Sequence, residues 1–379
     1  MTEGPASAST DRLARSRRII VKIGSALLVH PRNLEIQAAW LDALADDLAT
    51  LRAGGHEVAI VTSGAVAVGR VQLGLGGRAL RLEEKQAAAA VGQIRLAHLY
   101  QETLARHGLA VGQILLTRED TEARRRHLNA RATIGELLTL GIVPVINEND
   151  TVTTSEIRFG DNDRLAARVA QMISADALIL LSDVDGLYTA DPRKDPTARH
   201  LPVVEVLTPE IMAMAGPPLP GMSSGGMVTK LDAARIATSA GCAMAIARGD
   251  QLRPLTALNE GARATWFEPM AGPLTARKRW IAGSVAPAGA LVIDKGAADA
   301  LAHGRSLLPA GLVDIEGRFE RGDTVLIKDQ DGHIVGRGLT AYSSADAMIL
   351  RRHKSDEIEE LLGYRGRDEM IHRDDLVMG

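Results

Sequence analysis

Two lysines and an aspartate stand where the sequence passes from one predicted element to the next. Lys22 ends an apolar run, Asp163 opens a helical pattern, and Lys230 closes the Gly/Ser-rich stretch PPLPGMSSGGMVTK. A lysine in an apolar strand needs a partner or an anionic ligand, because burying an ammonium group alone is costly. Two lysines and a glycine-rich helix start suit phosphoryl transfer, in which developing charge must be neutralised with little covalent chemistry.

The same residues are also compatible with purely structural roles. Lys22 could be an edge lysine whose stem reaches solvent, and the Gly/Ser-rich stretch before Lys230 could be a surface loop. The stretch is not the Walker pattern, since its lysine follows a threonine and the spacing differs. No Ser-His-Asp or Cys-His arrangement and no His/Cys metal spacing stands out, which disfavours acyl-transfer hydrolysis and a structural zinc site.

The elements that would position these residues are predicted around residues 145–170. The β-branched run 142–146 predicts a buried strand that ends in Asn147-Glu148-Asn149-Asp150. The second polar cluster, Gly160-Asp161-Asn162-Asp163, precedes apolar residues at helical spacing. In a parallel sheet such a loop lies at the carboxyl edge, where ligands bind, although Asn and Asp are also common turn and cap residues.

Two more predicted strands end in polar turns. Residues 58–62 run into Ser63-Gly64, where backbone N–H groups could hold a carboxylate or phosphate, and residues 177–181 run into Ser182-Asp183. Residues 82–107, by contrast, are Ala-rich and strongly helical, and we expect most of that length to be structural.

Composition favours a two-domain α/β protein. The chain has 379 residues, with 46% hydrophobic and only 3% aromatic residues, and its net charge of −3 gives no general indication of nucleic-acid or membrane binding. The single cysteine, Cys242, excludes an internal disulfide framework and is expected to be buried. Neither a signal-peptide core nor a stretch of 18 apolar residues is found, so we expect a cytoplasmic protein without membrane spans.

The pattern changes near residue 256, and short predicted strands (289–294, 312–316, 324–328 and 333–339) dominate beyond residue 280, which suggests a small β-barrel-like domain. Residues 277–379 contain 15 Lys and Arg against 17 Asp and Glu, a balance that does not favour RNA binding. The predicted organisation is a flexible tail (1–15), a first domain (16–268), a linker (269–279), a second domain (280–356) and a C-terminal helix and tail (357–379).

Six ordered blocks resemble the amino acid kinase family, and their combination is most similar to its glutamate-phosphorylating members. The blocks are VKIGSALL (21–28), IVTSGAVAVG (60–69), INENDTV (146–152), FGDNDRLAARVA (159–170), LLSDVDGLYTADPR (180–193) and SSGGMVTK (223–230). The region from about residue 280 resembles the PUA domain that follows the kinase in many bacterial members.

The resemblance implies a three-layer α/β/α sandwich with a mainly parallel sheet, which uses ATP and Mg²⁺ to phosphorylate the γ-carboxylate of L-glutamate, the first step of proline biosynthesis. The implied catalytic residues are Lys22, Asp163 and Lys230, with Asp163 holding both lysines. The implied glutamate-binding residues are Ser63, Gly64, Asp150 and Asn162. The implied nucleotide-binding residues are Lys22, Ser182, Asp183, Ser224, Gly225, Gly226, Met227, Val228, Thr229 and Lys230. Mg²⁺ is expected through the ATP phosphates, with no protein metal site.

Some expectations rest on the resemblance alone, and others stay open. A homodimer or homotetramer and feedback inhibition by proline are implied by the family only. Ala26 and Ser223 depart from the common family pattern, and we expect them to affect affinity rather than the existence of activity. The residues themselves do not distinguish glutamate from acetylglutamate, aspartate or a nucleoside monophosphate, and an RNA-binding role of the C-terminal domain is the alternative from another class.

Overall fold

The computed structural model describes residues 12–30, 35–75, 78–153, 162–216, 226–282 and 287–378. The chain divides into two compact units, Met1–Pro273 and Leu274–Gly379.

The first unit is built on an eight-stranded sheet with the order β3-β4-β2-β1-β5-β9-β10-β8. All neighbours in this sheet are parallel except β9 and β10. Two further short strands, β6 and β7, pair with each other. The strands are β1 Arg18–Ile23, β2 Glu57–Val61, β3 Val111–Leu116, β4 Val143–Glu148, β5 Ala177–Ser182, β6 Leu187–Tyr188, β7 His200–Leu201, β8 Val203–Val204, β9 Ala243–Arg248 and β10 Ala264–Phe267.

Helices cover both faces of this sheet, so the predicted three-layer arrangement is confirmed. The helices of this unit are α1 Ser25–Leu28, α2 Ala38–Ala53, α3 Ala65–Gln72, α4 Leu82–Ala105, α5 Arg118–Glu122, α6 Arg124–Thr139, α7 Asn162–Ile173, α8 Pro209–Ala213, α9 Met227–Ser239 and α10 Pro254–Asn259. The cluster on one face includes residues of α2 and α4, and the cluster on the other includes residues of α6, α7 and α9.

Strand β1 shows how alternation directs a charged residue to one layer. Ile19, Val21 and Ile23 belong to the core cluster that contains α2 and α4, whereas Ile20 belongs to the cluster that contains α7 and α9. Because successive side chains of a strand point to opposite faces, Lys22 lies on the same face as Ile20. The fold therefore directs this lysine toward α7 and α9.

The second unit contains a five-stranded sheet with the order β12-β11-β13-β14-β15. Its strands are β11 Gly289–Ile293, β12 Leu312–Gly317, β13 Thr324–Lys328, β14 Ile334–Leu339 and β15 Leu376–Met378. The first four coincide with the strands predicted from the sequence to within about one residue. The helix α11 Pro273–Ala282 begins at the unit boundary, and the unit also contains α12 Lys295–Ala302, α13 Ser344–Leu350 and α14 Ile358–Leu362.

Two segments predicted as a linker and as a C-terminal helix and tail contain more regular structure than the sequence pattern indicated. The predicted linker 269–279 is largely helical, because Pro273 occupies the first turn of α11, the position where proline fits a helix. The predicted C-terminal helix and tail (357–379) includes the helix α14, but its tail contains β15, which pairs with β14, and the nearby side chains of Met370 and Ile371 are fully buried.

At the N-terminus the described chain begins at Arg12, so residues 1–11 of the predicted tail lie outside it. Residues 12–15 are helical, with Leu13 buried, and Arg12 forms an ion pair with Glu268. This end of the predicted tail is therefore attached to the first unit.

Candidate functional site

A buried cluster of two lysines and one aspartate lies at the carboxyl edge of the main sheet. Asp163 Oδ2 accepts a hydrogen bond from Lys230 Nζ at 3.0 Å, and its Oδ1 forms an ion pair with Lys22 Nζ. Asp163 is 0% exposed and each lysine 6%. The structure thus brings together the three residues that the sequence separates by 141 and 67 positions.

Three elements position this cluster. Lys22 is the penultimate residue of β1, which lies between β2 and β5. Asp163 and Lys230 belong to the first turns of α7 and α9, two helices that pack against each other on the face of the sheet to which Lys22 points. Because each residue stands on regular structure, the cluster is held by the core.

The cluster has more positive than negative charge. One carboxylate faces two ammonium groups, which leaves these three side chains with a formal surplus of one positive charge in a site with little solvent. Electrostatic attraction is stronger in such an environment than in water. A site of this kind can attract and stabilise an anion whose charge builds up during reaction, such as a transferring phosphoryl group.

A chain of side-chain amides lies beside the lysine cluster. Asn162 Nδ2 lies 2.6 Å from the Thr62 carbonyl oxygen, 2.9 Å from Ser63 Oγ and 2.9 Å from Asn147 Oδ1, three acceptors for its two hydrogens. Asn147 Nδ2 in turn donates to Gln93 Oε1 at 2.8 Å. The ends of β2 and β4 and the start of α7 are therefore tied together by polar side chains.

The turn after β2 presents a helix N-terminus to the same region. Gly64 precedes α3 and has φ = 100°, a left-handed conformation that side-chain-bearing residues rarely adopt. The first N–H groups of a helix have no partner within the helix and attract anions. Ser63 and Gly64, both predicted from the sequence, thus lie where a carboxylate could bind.

Helix α4 contributes polar residues that the sequence interpretation missed. Gln86 Nε2 donates to the Thr153 carbonyl at 3.2 Å, Gln93 accepts from Asn147, and the Tyr100 hydroxyl shares a 2.9 Å hydrogen bond with Thr62 Oγ1. These three residues are spaced by seven, two turns of helix, and so lie on one face. Polar residues at this spacing in an otherwise Ala-rich helix were the indication available in the sequence.

Two glycines let α4 and α3 pack so closely that their backbones are in contact. A Cβ added at Gly92 would lie 1.9 Å from the Ala65 carbonyl oxygen, and one at Gly69 would lie 1.8 Å from that of Ala88. Neither position can accept a side chain without moving a helix. The close contact places the residue after Gly92, which is Gln93, beside the start of α3.

The predicted nucleotide residues at the end of β5 lie next to β1 in the sheet. Ser182 is buried and its Oγ donates to Asp183 Oδ1 at 3.1 Å, while its carbonyl accepts from the Gly249 N–H at 2.7 Å. Asp183 itself is exposed. The end of β5 is thus held by hydrogen bonds, and it places one exposed carboxylate, that of Asp183, beside the strand that contains Lys22.

The glycine-rich stretch ends at the start of α9. Gly226 is the N-cap residue, and Thr229 Oγ1 donates to the Gly226 carbonyl at 2.8 Å and lies 3.4 Å from Asp163 Oδ2. Met227 and Val228 are half-buried in the same first turn. The predicted residues Ser224 and Gly225, and the departure at Ser223, lie outside the described residues.

The remaining predicted residue, Asp150, lies in the turn that follows β4, half-buried and close in sequence to Asn147. Ala26, which departs from the family pattern, is exposed, and its carbonyl accepts from Gln37. Cys242 is fully buried, as expected from its apolar surroundings, and burial raises the pKa of its thiol.

The chain is similar to known proteins along almost its full length. A model of the amino acid kinase family matches residues 17–248, and a model of the PUA domain matches residues 289–362. A protein called glutamate 5-kinase from Paramagnetospirillum magneticum is 63% identical over 366 residues, which cover 97% of this chain and 99% of that protein.

Two further proteins of the same name are similar to the same degree. The one from Gluconobacter oxydans is 60% identical over 373 residues (98% of this chain, 99% of that protein). The one from Allorhizobium ampelinum is 59% identical over 372 residues (98% and 95%). The resemblance inferred from the six sequence blocks is confirmed.

Proposed function

The chain belongs to the glutamate 5-kinases of the amino acid kinase family, and we propose that it transfers the γ-phosphoryl group of ATP to the side-chain carboxylate of L-glutamate. The products are γ-glutamyl phosphate and ADP, and the reaction opens proline biosynthesis. The single observation that supports this chemistry best is the buried Lys22–Asp163–Lys230 cluster with its surplus positive charge.

The proposed reaction needs no general base. A carboxylate oxygen of glutamate attacks the γ-phosphorus, and the bond from that phosphorus to the bridging oxygen of ADP breaks. The acceptor is already ionised at neutral pH, so no proton has to be removed. The protein then has to align the reactants and to stabilise the negative charge on the transferring group.

In this mechanism the two lysines stabilise charge and Asp163 positions them. Lys22 lies at the end of β1 and would contact the phosphoryl group. Lys230 lies at the start of α9 and would neutralise charge on the leaving phosphate. Asp163 is enclosed by both ammonium groups, so it serves to orient the lysines rather than to accept a proton.

The same enclosure argues against Asp163 as a ligand for a divalent cation. Among the described residues, the group of side chains close enough to share a metal ion is Asp329, Asp331 and His333, which belongs to the second unit. We therefore propose that Mg²⁺ enters the kinase site bound to the ATP phosphates, where it supplies further neutralisation of their charge.

We propose separate binding regions for glutamate and for ATP next to the lysine cluster. We propose that glutamate binds beside the amide chain and the Ser63-Gly64 turn, with Asn162 and Asp150 as polar contacts. Two further regions would bind ATP: the end of β5 and the N-terminus of α9. Their residues are Ser182, Asp183, Ser224, Gly225, Gly226, Met227, Val228, Thr229 and Lys230.

The test of the proposed function is an acyl-phosphate assay with a substrate panel. The protein is incubated with ATP, Mg²⁺ and hydroxylamine, together with glutamate, aspartate, acetylglutamate or UMP, and both hydroxamate and ADP are measured. Hydroxamate and ADP formed in equal amounts with glutamate alone is the expected result. Turnover with a different member of the panel would show that the assigned substrate is wrong. ADP release without an acceptor would show that the assigned reaction is wrong.

The similar proteins favour this activity over the alternatives raised by the sequence. They are all called glutamate 5-kinase, not acetylglutamate or aspartate kinase, and the second unit matches the PUA domain model. An RNA-binding role would require strongly salt-dependent retention on RNA.

The family resemblance also supports three further proposals about this chain. We propose that it forms a homodimer or homotetramer, that proline inhibits it, and that it acts in the cytoplasm. No helix in the described part of the chain is long and apolar enough to cross a membrane. Light scattering of the purified protein and an activity titration with proline test the first two.

A further inference from the structure

The amide chain next to the lysine cluster has fixed orientations, because backbone groups determine which atom of each amide is oxygen. Asn162 Nδ2 faces the Thr62 carbonyl, which can only accept a hydrogen bond. Asn147 Oδ1 faces the Glu148 N–H at 2.9 Å, which can only donate. The nitrogen of Asn147 therefore faces Gln93, and the oxygen of Gln93 must receive its hydrogen bond.

This order leaves one donor group without an acceptor among the residues that the structure describes. Gln93 Nε2 is buried and donates to none of them, and the whole residue is only 8% exposed. Turning the Gln93 amide over would remove the 2.8 Å bond from Asn147 and place two NH₂ groups against each other. A buried donor without a partner is costly, so its retention in a folded protein calls for a reason, and a functional role is one such reason.

The position of Gln93 places this donor beside the proposed glutamate site. Through Asn147 it is linked to Asn162, which also contacts Ser63. Through the close contact of Gly92 with the Ala65 carbonyl, it is held beside the first turn of α3. In the order of hydrogen bonds, Gln93 is the member of the amide chain farthest from Asp163, which directly follows Asn162 in the sequence.

We propose that Gln93 is a specificity-determining residue whose Nε2 donates a hydrogen bond to the α-carboxylate of the amino-acid substrate. This inference rests on the proposed function. The γ-carboxylate must lie at the two lysines in order to react, so the end of the substrate that reaches the amide chain is the α end. An NH₂ donor there binds the α-carboxylate and not the α-ammonium group, which has no acceptor atom.

Two substitutions separate this donor from the structural role of the same side chain. Gln93→Glu keeps an oxygen that can accept from Asn147 but replaces the NH₂ group with a carboxylate oxygen. Gln93→Met has a similar length and removes both polar atoms. The matched control is Gln101→Glu, which makes the same charge change at an exposed position of the same helix.

The measurement is the steady-state kinetics of the four proteins with glutamate and with ATP. Removing a hydrogen bond to a charged group predicts a rise in the KM for glutamate of about ten- to a hundredfold in Gln93→Met, and a larger rise in Gln93→Glu, where two carboxylates repel. The KM for ATP and the kcat are expected to stay within about threefold, and Gln101→Glu is expected to match the wild type. KM does not depend on the fraction of folded enzyme, so partial unfolding of a variant does not obscure the result.

A substrate analogue tests which carboxylate is involved. The α-carboxamide of L-glutamate lacks the charge of the α-carboxylate but keeps the reacting γ-carboxylate. The discrimination ratio is the kcat/KM for L-glutamate divided by the kcat/KM for this analogue. We expect this ratio to be about tenfold smaller in Gln93→Met than in the wild type.

Three outcomes would overturn the proposal. They are a KM for glutamate that is unchanged in both Gln93 variants, a KM that is raised in Gln93→Met but normal in Gln93→Glu, and a discrimination ratio that Gln93→Met does not change. A wild-type protein without activity toward glutamate would instead contradict the proposed function itself.

Discussion

Each of the two units contains a nearly buried group of oppositely charged side chains, and the two groups differ in the number of cations that face one anion. In the second unit Arg277 Nε donates to Asp375 Oδ1 at 2.8 Å, and the side chains are 10% and 6% exposed. In the first unit Asp163 faces both Lys22 and Lys230. An ion pair of one cation and one anion joins the α11 helix to the segment before β15, whereas in the first unit two cations face one anion, so those three side chains have a formal net positive charge.

Burial of charge does not by itself identify a functional site. Breaking a buried pair is destabilising wherever it lies, because the remaining charge loses its partner. Only a substitution in the cluster with surplus positive charge should also lower the kcat.

The largest effect is expected from Asp163→Asn. The substitution removes the anion that both buried ammonium groups face, so it should lower the stability of the first unit and disturb both lysines. We expect turnover to fall by about three orders of magnitude or more while the fold persists. Turnover is measured by the hydroxamate assay and the fold by near-UV circular dichroism, and turnover within tenfold of the wild type would exclude the role given to Asp163.

The counterpart in the second unit is Arg277→Met. Asp375 would keep its buried position but lose its guanidinium partner, so we expect a loss of about 3–5 kcal/mol from the free energy of unfolding of that unit. The kcat of the folded protein should not change. Urea unfolding followed together with activity checks this prediction, and a large fall in kcat under folded conditions would show that the two ion pairs do not differ as described.

A smaller effect is expected where α3 and α4 touch. In Gly92→Ala the added Cβ would overlap the Ala65 carbonyl oxygen, so the helices must separate at a cost of about 1–3 kcal/mol. Because Gln93 and the Ser63-Gly64 turn move apart with them, the KM for glutamate should rise more than the KM for ATP. Both KM values are measured by the hydroxamate assay.

The matched control for that change is Gly135→Ala in α6, where an added Cβ meets no atom within 4 Å. Replacing a glycine inside a helix by alanine should stabilise the protein by about 0.5–1 kcal/mol and leave both KM values unchanged. A Gly92→Ala protein as stable as Gly135→Ala would mean that the α3–α4 contact does not hold the site.

Much of this site could be predicted from the sequence because its residues stand at the ends of local patterns. A lysine that ends an apolar strand and an aspartate that opens a helical pattern are visible in a few residues, and the parallel-sheet arrangement brings such ends to one edge. Local patterns therefore identify Lys22, Asp163 and Lys230 as candidates, although they leave structural roles open.

The features that were missed depend on contacts between distant segments. Residues 376–378 form a strand only because β14 lies beside them, and nothing local in a charge-rich C-terminus indicates that pairing. Gln93 stands in an Ala-rich helix in which the spacing of Gln86, Gln93 and Tyr100 was the one local indication. Its buried donor becomes visible when the hydrogen bond from Asn147, 54 residues later, fixes the orientation of its amide.

The most direct test of the central claim is one measurement on Lys22→Met, in which kcat and the free energy of unfolding are determined on the same preparation. The substitution leaves Asp163 with its ion pair to Lys230, comparable to the ion pair of Asp375 with Arg277 in the second unit. We predict that kcat falls about a thousandfold while stability stays within about 1 kcal/mol of the wild type. A protein that loses stability but keeps its kcat would show that the cluster holds the fold together and does not perform the transfer.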